Sequence, residues 1–157
     1  MATTAGRPSA TASVSDLGVV DGLVQLSFLI QSLLGRVAAE HDLSIIQTRL
    51  IGVLRDREPG MLELARLLEL EKSSVTGLVD RAERRGLVQR LPVTGNRRAV
   101  HVALTPHGHA LARTVADEVG ARIAALTSGL SQSQRNHLAG LATRLILDDA
   151  AGRGLPL

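Results

Sequence analysis

The fold is decided by residues 62–104, LELARLLELEKSSVTGLVDRAERRGLVQRLPVTGNRRAVHVAL. The stretch begins with leucines at helical spacing, Leu64, Leu67 and Leu68, which predict one short amphipathic helix. Residues 70–72 make a tight connection. A second helical pattern starts at Ser73 and stops at Gly86, since glycine commonly ends helices. Two short helices joined by a tight turn predict a helix-turn-helix.

The second helix of this pair has two chemically different faces. Its apolar residues fall at i, i+3, i+4 and i+7 and are therefore expected to point inward: Val75, Leu78, Val79 and Ala82. The opposite face carries small polar residues near the helix start and arginines further on: Ser73, Ser74, Gly77, Asp80, Arg81 and Arg84. The pattern predicts a helix that is packed on one side and offers polar groups on the other.

A two-stranded pattern follows the second helix. Residues 87–91 are strand-like, and residues 99–104 alternate in a second strand. Between them, residues 92–98, PVTGNRR, predict a turn with Arg97 and Arg98 at or near its tip. We interpret this segment as a β-hairpin wing.

The combination resembles the MarR family of winged-helix transcription regulators. The resemblance is carried by SSVTGLVDRAERRGLVQR at 73–90, the wing NRRAVHVALT at 96–105, and TPHG at 105–108, which opens the next helix. It covers most of residues 17–147. It implies a mainly α fold with a small β-hairpin wing, in one domain over residues 16–150. The winged helix would span about 44–104, flanked by dimerisation helices at about 16–40 and 106–147.

Capping signals place the other helices. Ser44 with Gln47, and Ser131 with Gln134, have the spacing of capping boxes. Thr105 followed by Pro106 is a helix start, because proline at the first helical position loses no hydrogen bond. The helix that starts at Ser44 is expected to run to about Arg57. The helix that starts at Thr105 is expected to end at residue 129, and the helix that starts at Ser131 is expected to end before residues 151–154.

The ends of the chain predict a cytoplasmic protein. Residues 1–15 lack the basic start and apolar centre of a signal peptide and predict a disordered arm, and residues 151–157 predict a tail. The helix at 16–40 is dense in apolar residues but is expected to fall short of a membrane span. A soluble helix that is apolar on most sides must be buried on most sides. One small domain of a 157-residue chain cannot cover all of it, so we expect a homodimer, with a central core helix in a monomer as the less favoured alternative.

Basic charge is concentrated in the helix-turn-helix and wing. Residues 72–98 hold seven basic and two acidic side chains, a balance of +5, and the remaining eleven basic and thirteen acidic residues give −2. Such a patch predicts double-stranded DNA as partner. A dimer would place two recognition helices in successive major grooves, on a near-palindromic operator. The candidate DNA-binding residues are Lys72, Ser73, Ser74, Thr76, Gly77, Arg81, Arg84, Arg97 and Arg98.

Two positions depart from the family pattern. Gly77 stands where many relatives place a long base-reading side chain, and it costs the helix up to about 1 kcal/mol relative to alanine. It predicts a close approach of the backbone to DNA or less direct readout. Asn96 stands where relatives usually have an aspartate before the wing arginine. The expected salt bridge is therefore absent or replaced by a hydrogen bond.

The resemblance also implies an effector site. Similar proteins bind small lipophilic or anionic molecules where the first, second and wing-following helices meet, which points to Phe28, Arg49 and His107. No metal or other cofactor is expected, since the chain has no cysteine and His107 and His109 lie at i, i+2 rather than i, i+4. No catalytic constellation is present, so we expect a non-enzyme.

Two functions from different classes fit the sequence. The first is a sequence-specific DNA-binding repressor that a small effector releases. The alternative is a winged-helix module for protein or RNA contact without an operator. The basic patch and the serine-rich helix start favour the repressor.

Overall fold

The computed structural model describes residues 17–93 and 96–154, with the side chains of residues 96–98 outside the description. The predicted arm at 1–15 and the end of the predicted tail, residues 155–157, therefore lie outside the described residues. The elements, in chain order, are α1 Gly18–Glu40, α2 Ile45–Leu54, α3 Met61–Leu68, α4 Lys72–Arg84, β1 Val88–Val93, β2 Asn96–Leu104, α5 Pro106–Leu126 and α6 Gln132–Gly152.

Both predicted capping boxes are present. The Ser44 hydroxyl accepts the Gln47 N–H at 3.3 Å, and the Gln47 side chain accepts the Ser44 N–H at 2.9 Å. Ser131 and Gln134 repeat the pattern at 3.2 and 2.8 Å. Each box satisfies two backbone donors that a helix start would otherwise leave without partners. The sequence therefore determines where α2 and α6 begin.

The start of α5 is also as predicted and is tied to the wing. The Thr105 hydroxyl accepts the Gly108 N–H at 3.0 Å and donates to the Gly86 carbonyl at 2.6 Å. Pro106 occupies the first helical position. The Thr105 N–H donates to the Leu87 carbonyl at 3.0 Å. These contacts fix α5 against the junction between α4 and β1.

Several predicted helix ends are wrong by a few residues. α2 ends at Leu54 rather than near Arg57, because the chain then runs extended into a bridge between Gly60 and His101 of β2. The Pro59 carbonyl accepts the Val102 N–H at 3.0 Å in the same contact. α5 ends at Leu126, before a turn over residues 127–130, and α6 continues to Gly152. Local turn bonds close the ends of α5 and α6, from the Ser128 N–H to the Ala125 carbonyl and from the Gly154 N–H to the Ala151 carbonyl.

The connection between the two helices of the motif is shifted by one residue. α3 ends at Leu68 and α4 begins at Lys72, so the turn is formed by residues 69–71 rather than 70–72. Glu69 terminates α3 in the left-handed conformation, with φ of 56°. The N–H groups of Glu69 and Leu70 close the end of α3 on the Arg66 and Ala65 carbonyls.

The wing is an antiparallel hairpin of β1 and β2, as expected, but its strands are longer than predicted. Val88 pairs with Leu104 and Pro92 with Val100, and the register shifts between Pro92 and Val93. The predicted turn at 92–98 is therefore too long, since pairing continues to Val93 and Asn96. Residues 94–95 lie outside the described residues. Pairing with β1 carries the backbone of Arg97 and Arg98 into β2.

The core lies where α1, α2 and α5 meet the winged helix, and it includes the predicted inward face of α4. Val75, Leu78, Val79 and Ala82 are each at most 1% exposed. They pack with buried residues of every other element except α6: Leu33, Val37, Leu50, Ile51, Leu54, Leu64, Leu68, Leu87, Val88, Val102, Leu104, Ala112 and Val115. This packing leaves the polar face of α4 outward.

The terminal helices leave much apolar surface uncovered. Leu17, just before α1, is exposed, as are large apolar residues in the N-terminal half of that helix: Val19, Val20, Leu23, Val24, Leu26, Phe28 and Leu29. α6 exposes Leu138, Leu141, Leu145, Ile146 and Leu147. By length and composition α1 is long and apolar enough to cross a membrane, so the expectation that it falls short is wrong on those criteria. A core helix of a soluble protein meets the same criteria.

Candidate DNA-binding interface

The polar face of α4 carries cations without internal partners. Lys72, Arg81 and Arg84 are exposed. Their side chains form no hydrogen bond or ion pair with any residue that the structure describes. An arginine held in an internal ion pair offers a phosphate less charge and fewer free donors. These three side chains are therefore the cations of α4 best placed to bind an anionic partner.

The start of α4 leaves its backbone donors open. Glu71 is the N-cap residue, and its side chain makes no capping hydrogen bond. Ser73 and Ser74 follow in the first turn, and both are exposed. The Thr76 hydroxyl, one turn on, donates to the Lys72 carbonyl at 3.0 Å. Uncapped N–H groups at a helix start, together with free hydroxyls, form a favourable site for a phosphate.

Gly77 makes room for Arg81. A Cβ atom at residue 77 would lie 3.3 Å from Nη1 of Arg81, so the guanidinium passes close over the glycine backbone. A larger side chain would have to share this surface with Arg81. The sequence left a close approach of DNA or a less direct readout as explanations of Gly77, and the structure adds a third, internal one.

The largest departure from the sequence prediction is Arg90. Although it was counted in the basic patch, Arg90 of β1 donates to Asp80 at 2.6 Å and also bonds Glu83, both on α4. The hydrogen bond to Asp80 raises the pKa of the Arg90 guanidinium above its ordinary value. This pair of contacts joins the wing to α4, and it places one positive charge between the two acidic groups of that helix. No spacing rule within one helix or strand identifies such a contact.

Arg85, like Arg90, forms hydrogen bonds within the protein. Its guanidinium donates to the Asp42 carbonyl at 2.7 Å and to the His41 carbonyl at 3.4 Å. These carbonyls lie just past the C-terminal end of α1, which the N–H groups of the same two residues close on the Ala38 and Ala39 carbonyls. Arg85 therefore anchors the end of α4 to the end of α1. The basic patch of the sequence separates into cations that bind within the protein and cations that remain available.

At the tip of the wing, the structure describes only the backbone of residues 96–98. Arg97 and Arg98 lie at the start of β2, next to the undescribed residues 94–95. Their side chains, and that of Asn96, lie outside the described residues, so the predicted contacts of this tip stay predictions. Further along β2, His101 contacts the segment before α3, with its Nδ1 2.6 Å from the Glu58 carbonyl oxygen. His101 is exposed, as expected, but it takes part in this contact.

The three effector candidates are not brought together. Arg49 lines a cavity of about 600 Å³ between α1, α2, α3 and α6, whose walls include Leu34, Val53, Leu67, Ile146 and Ala150. Phe28 and His107 are exposed and are not among the residues lining this cavity. A second cavity of about 380 Å³ lies between α2 and α5, lined by Thr48, Arg55 and Val119 among others.

The titratable groups at the end of α1 pair with α5. Arg122 binds both Glu40 carboxylate oxygens, at 2.6 and 2.5 Å. His41 Nε2 lies 3.0 Å from the Glu118 carboxylate. In the described part of the chain, no three His, Cys, Asp or Glu side chains cluster in a way that could hold a metal ion. These pairs join α1 to α5 at the level where the winged helix begins.

Known proteins share this arrangement. Residues 41–99 match the model of the MarR family. The transcriptional regulator PecS of Dickeya dadantii (strain 3937) is 29% identical over 136 residues, 84% of this chain and 82% of PecS. The homoprotocatechuate degradative operon repressor of Escherichia coli is 32% identical over 107 residues, 65% of this chain and 72% of the repressor.

Solved structures agree with the fold. The crystal structure of NadR in complex with 4-hydroxyphenylacetate superposes with a TM-score of 0.68 at 25% identity, over 92% of this chain and 97% of NadR. The chain belongs to the MarR family of winged-helix transcriptional regulators.

Proposed function

We propose that this regulator is a cytoplasmic homodimeric repressor, and not an enzyme, that binds a near-palindromic operator through α4 and the wing. The observation that carries the proposal is the outward face of α4. It combines an uncapped start, two exposed serines, and cations at Lys72, Arg81 and Arg84 that no described residue neutralises. Such a face supplies phosphate contacts for affinity and arginines for base edges.

The exposed apolar faces of α1 and α6 support the homodimer. Leu138, Leu141 and Leu145 lie one helical turn apart on α6 and are 42 to 58% exposed. Monomeric proteins rarely leave such continuous apolar surface in water. A two-fold axis would bury these faces against their copies and set the two α4 helices about one turn of DNA apart.

We further propose a small aromatic acid as the effector. One relative is named for a homoprotocatechuate degradative operon, and one structural neighbour was crystallised with 4-hydroxyphenylacetate. The cavity beside Arg49 has apolar walls for a ring. The Arg49 guanidinium makes only long contacts, at 3.5 Å to two carbonyls and 3.7 Å to Glu69, so it retains donors for a carboxylate.

Binding to DNA from the protein's own promoter region tests the proposal. Fluorescence anisotropy should show tighter binding there than on a scrambled duplex of equal length, and sedimentation of the complex should give two chains per site. Adding 4-hydroxyphenylacetate should release the operator. Equal affinity for both duplexes would contradict the repressor function and favour the alternative of a protein- or RNA-binding module.

The wing prediction concerns Arg97. We expect Arg97→Ala to lower affinity on all sequences and to reduce the slope of log affinity against log salt by about one unit, because one phosphate-neutralising charge is lost. Base preference at the α4 positions should persist. Titrations at several salt concentrations measure this, with Arg113→Ala, an exposed arginine of α5, as control. An unchanged slope with altered base preference would show that Arg97 reads bases instead.

A further inference from the structure

Glu69 occupies an unusual position between the two helices of the motif. It is one of two non-glycine residues with positive φ in the described part of the chain, at 56°. For such a residue the left-handed conformation costs about 1 kcal/mol or more. Its carboxylate binds Arg153 of the α6 end at 2.9 Å and forms a longer ion pair with Arg49 of α2, at 3.7 Å. A strained backbone held by contacts from two directions indicates a constrained position.

Arg153 brings the end of α6 to this corner. It follows the last residue of α6 and also bonds Asp149 one turn earlier, at 3.1 Å. Within the described residues, Ala150 is the one residue of α6 that is buried. The Arg153–Glu69 contact joins the end of α6 to the turn between α3 and α4. Glu69 therefore contributes to the link between α6 and the helix-turn-helix.

The other end of α4 has a matching anchor. Arg85 donates to the carbonyls of Asp42 and His41 at the end of α1. The turn before α4 is thus tied to the end of α6 and to α2, and the residue that follows α4 is tied to the end of α1. α1 and α6 are the helices that expose the apolar faces assigned above to the dimer. The two anchors together constrain how α4 is oriented relative to the two-fold axis.

We propose that Glu69 is a positioning residue for operator binding, which through Arg153 and Arg49 holds α4 at the angle that sets the spacing of the two recognition helices. The proposal rests on the homodimeric, operator-binding function given above. Glu69 makes no contact with DNA in this role. It acts by coupling the recognition helix to the helices that meet at the dimer axis.

Electrostatics and positioning predict opposite results for loss of this carboxylate. Glu69 carries a negative charge three residues before α4, so its removal alone should strengthen binding to any DNA. A lost positioning contact should weaken binding to the operator while leaving non-specific binding unchanged or tighter. Glu71→Gln is the matched control. Glu71 lies two residues on, is exposed, and forms no ion pair with a described residue.

The experiment measures affinity of the full chain for the operator, for operators with half-sites moved by one base pair in either direction, and for scrambled DNA. We expect Glu69→Gln and Arg153→Met each to weaken operator binding by up to about fivefold, the upper end of what an exposed ion pair contributes. Both should reduce the preference for the native spacing without changing the salt slope. The double variant should lose no more than the greater single variant, since both remove the same contact. Glu71→Gln should bind as tightly as wild type or more tightly.

Glu69→Asn guards against an effect on folding, because asparagine tolerates the left-handed conformation and lacks the charge. It should melt like wild type and share the binding loss. Glu69 variants that bind the operator at least as tightly as wild type, with unchanged spacing preference, would overturn the positioning role alone. A wild-type protein with no preference for the operator would refute the proposed function, and the positioning role with it.

Discussion

Replacing Arg81 and Arg84 together by alanine is expected to weaken operator binding about 100-fold, since each arginine that contacts a base edge or phosphate contributes roughly 1–3 kcal/mol. Both side chains are exposed on the polar face of α4 and form no bond with a described residue. The salt dependence should become shallower by up to about two units. Unfolding should change little, because these surface side chains support only the last turn of α4.

A second double variant, Arg113→Ala with Arg144→Ala, separates position from net charge. It removes the same two charges from exposed places on α5 and α6. It should bind the operator within a few-fold of wild type. Anisotropy titrations at fixed salt compare the two proteins. If the α4 variant binds like this control, the recognition face of the protein lies elsewhere than on α4.

Gly108→Ala should cause a large loss of stability. A Cβ atom at residue 108 would lie 2.0 Å from the Leu87 carbonyl oxygen and 3.1 Å from Leu104 Cδ2. That carbonyl accepts the Thr105 N–H at 3.0 Å, so the backbone cannot withdraw without losing the bond that seats α5. Overpacking of this kind costs about 3 kcal/mol. At roughly 2–4 °C per kcal/mol in a chain of this size, the melting temperature should fall by about 10 °C.

Gly52→Ala is the matched control for this variant. A Cβ atom at residue 52, inside α2, meets nothing within 4 Å. Alanine is the better helix former by up to about 1 kcal/mol, so this protein should melt at or slightly above the wild-type temperature. Both proteins must be melted at one concentration, because the melting temperature of a dimer depends on it. A Gly108→Ala melt within 2 °C of wild type, on the order of 1 kcal/mol, would contradict the seating of α5 on Leu87.

Local signals predicted the elements that positioned the site. The hydroxyls of Ser44, Thr105 and Ser131 cap α2, α5 and α6, as their spacing to later residues predicted. The apolar face of α4 was predicted residue by residue, because helical periodicity is determined within a few turns. The hairpin was predicted from the same stretch, and the family was identified from its resemblance. The helix caps, the apolar face of α4 and the hairpin all depend on contacts between residues close in sequence.

Helix ends and the wing turn were less predictable. Because of Pro59, α2 was predicted to end near residue 57. The helix instead ends at Leu54, and residues 58–60 contact β2. Pairing across the hairpin carries β1 to Val93, past the proline and into the predicted turn. Hydrogen bonds to a distant segment compete with local propensity at such boundaries, and the sequence pattern contains no record of them.

The sequence by itself determined the helix order, the inward face of α4 and the presence of a basic patch. Only the tertiary structure decided which cations of that patch remain available. Arg90 is clamped by Asp80 and Glu83, and Arg85 by the end of α1. Only the fold also brought Arg153 to Glu69, 84 residues earlier in the chain. Charges are properties of residues, but their partners depend on distances of a few ångströms across packed elements, and Coulomb energy falls with that distance.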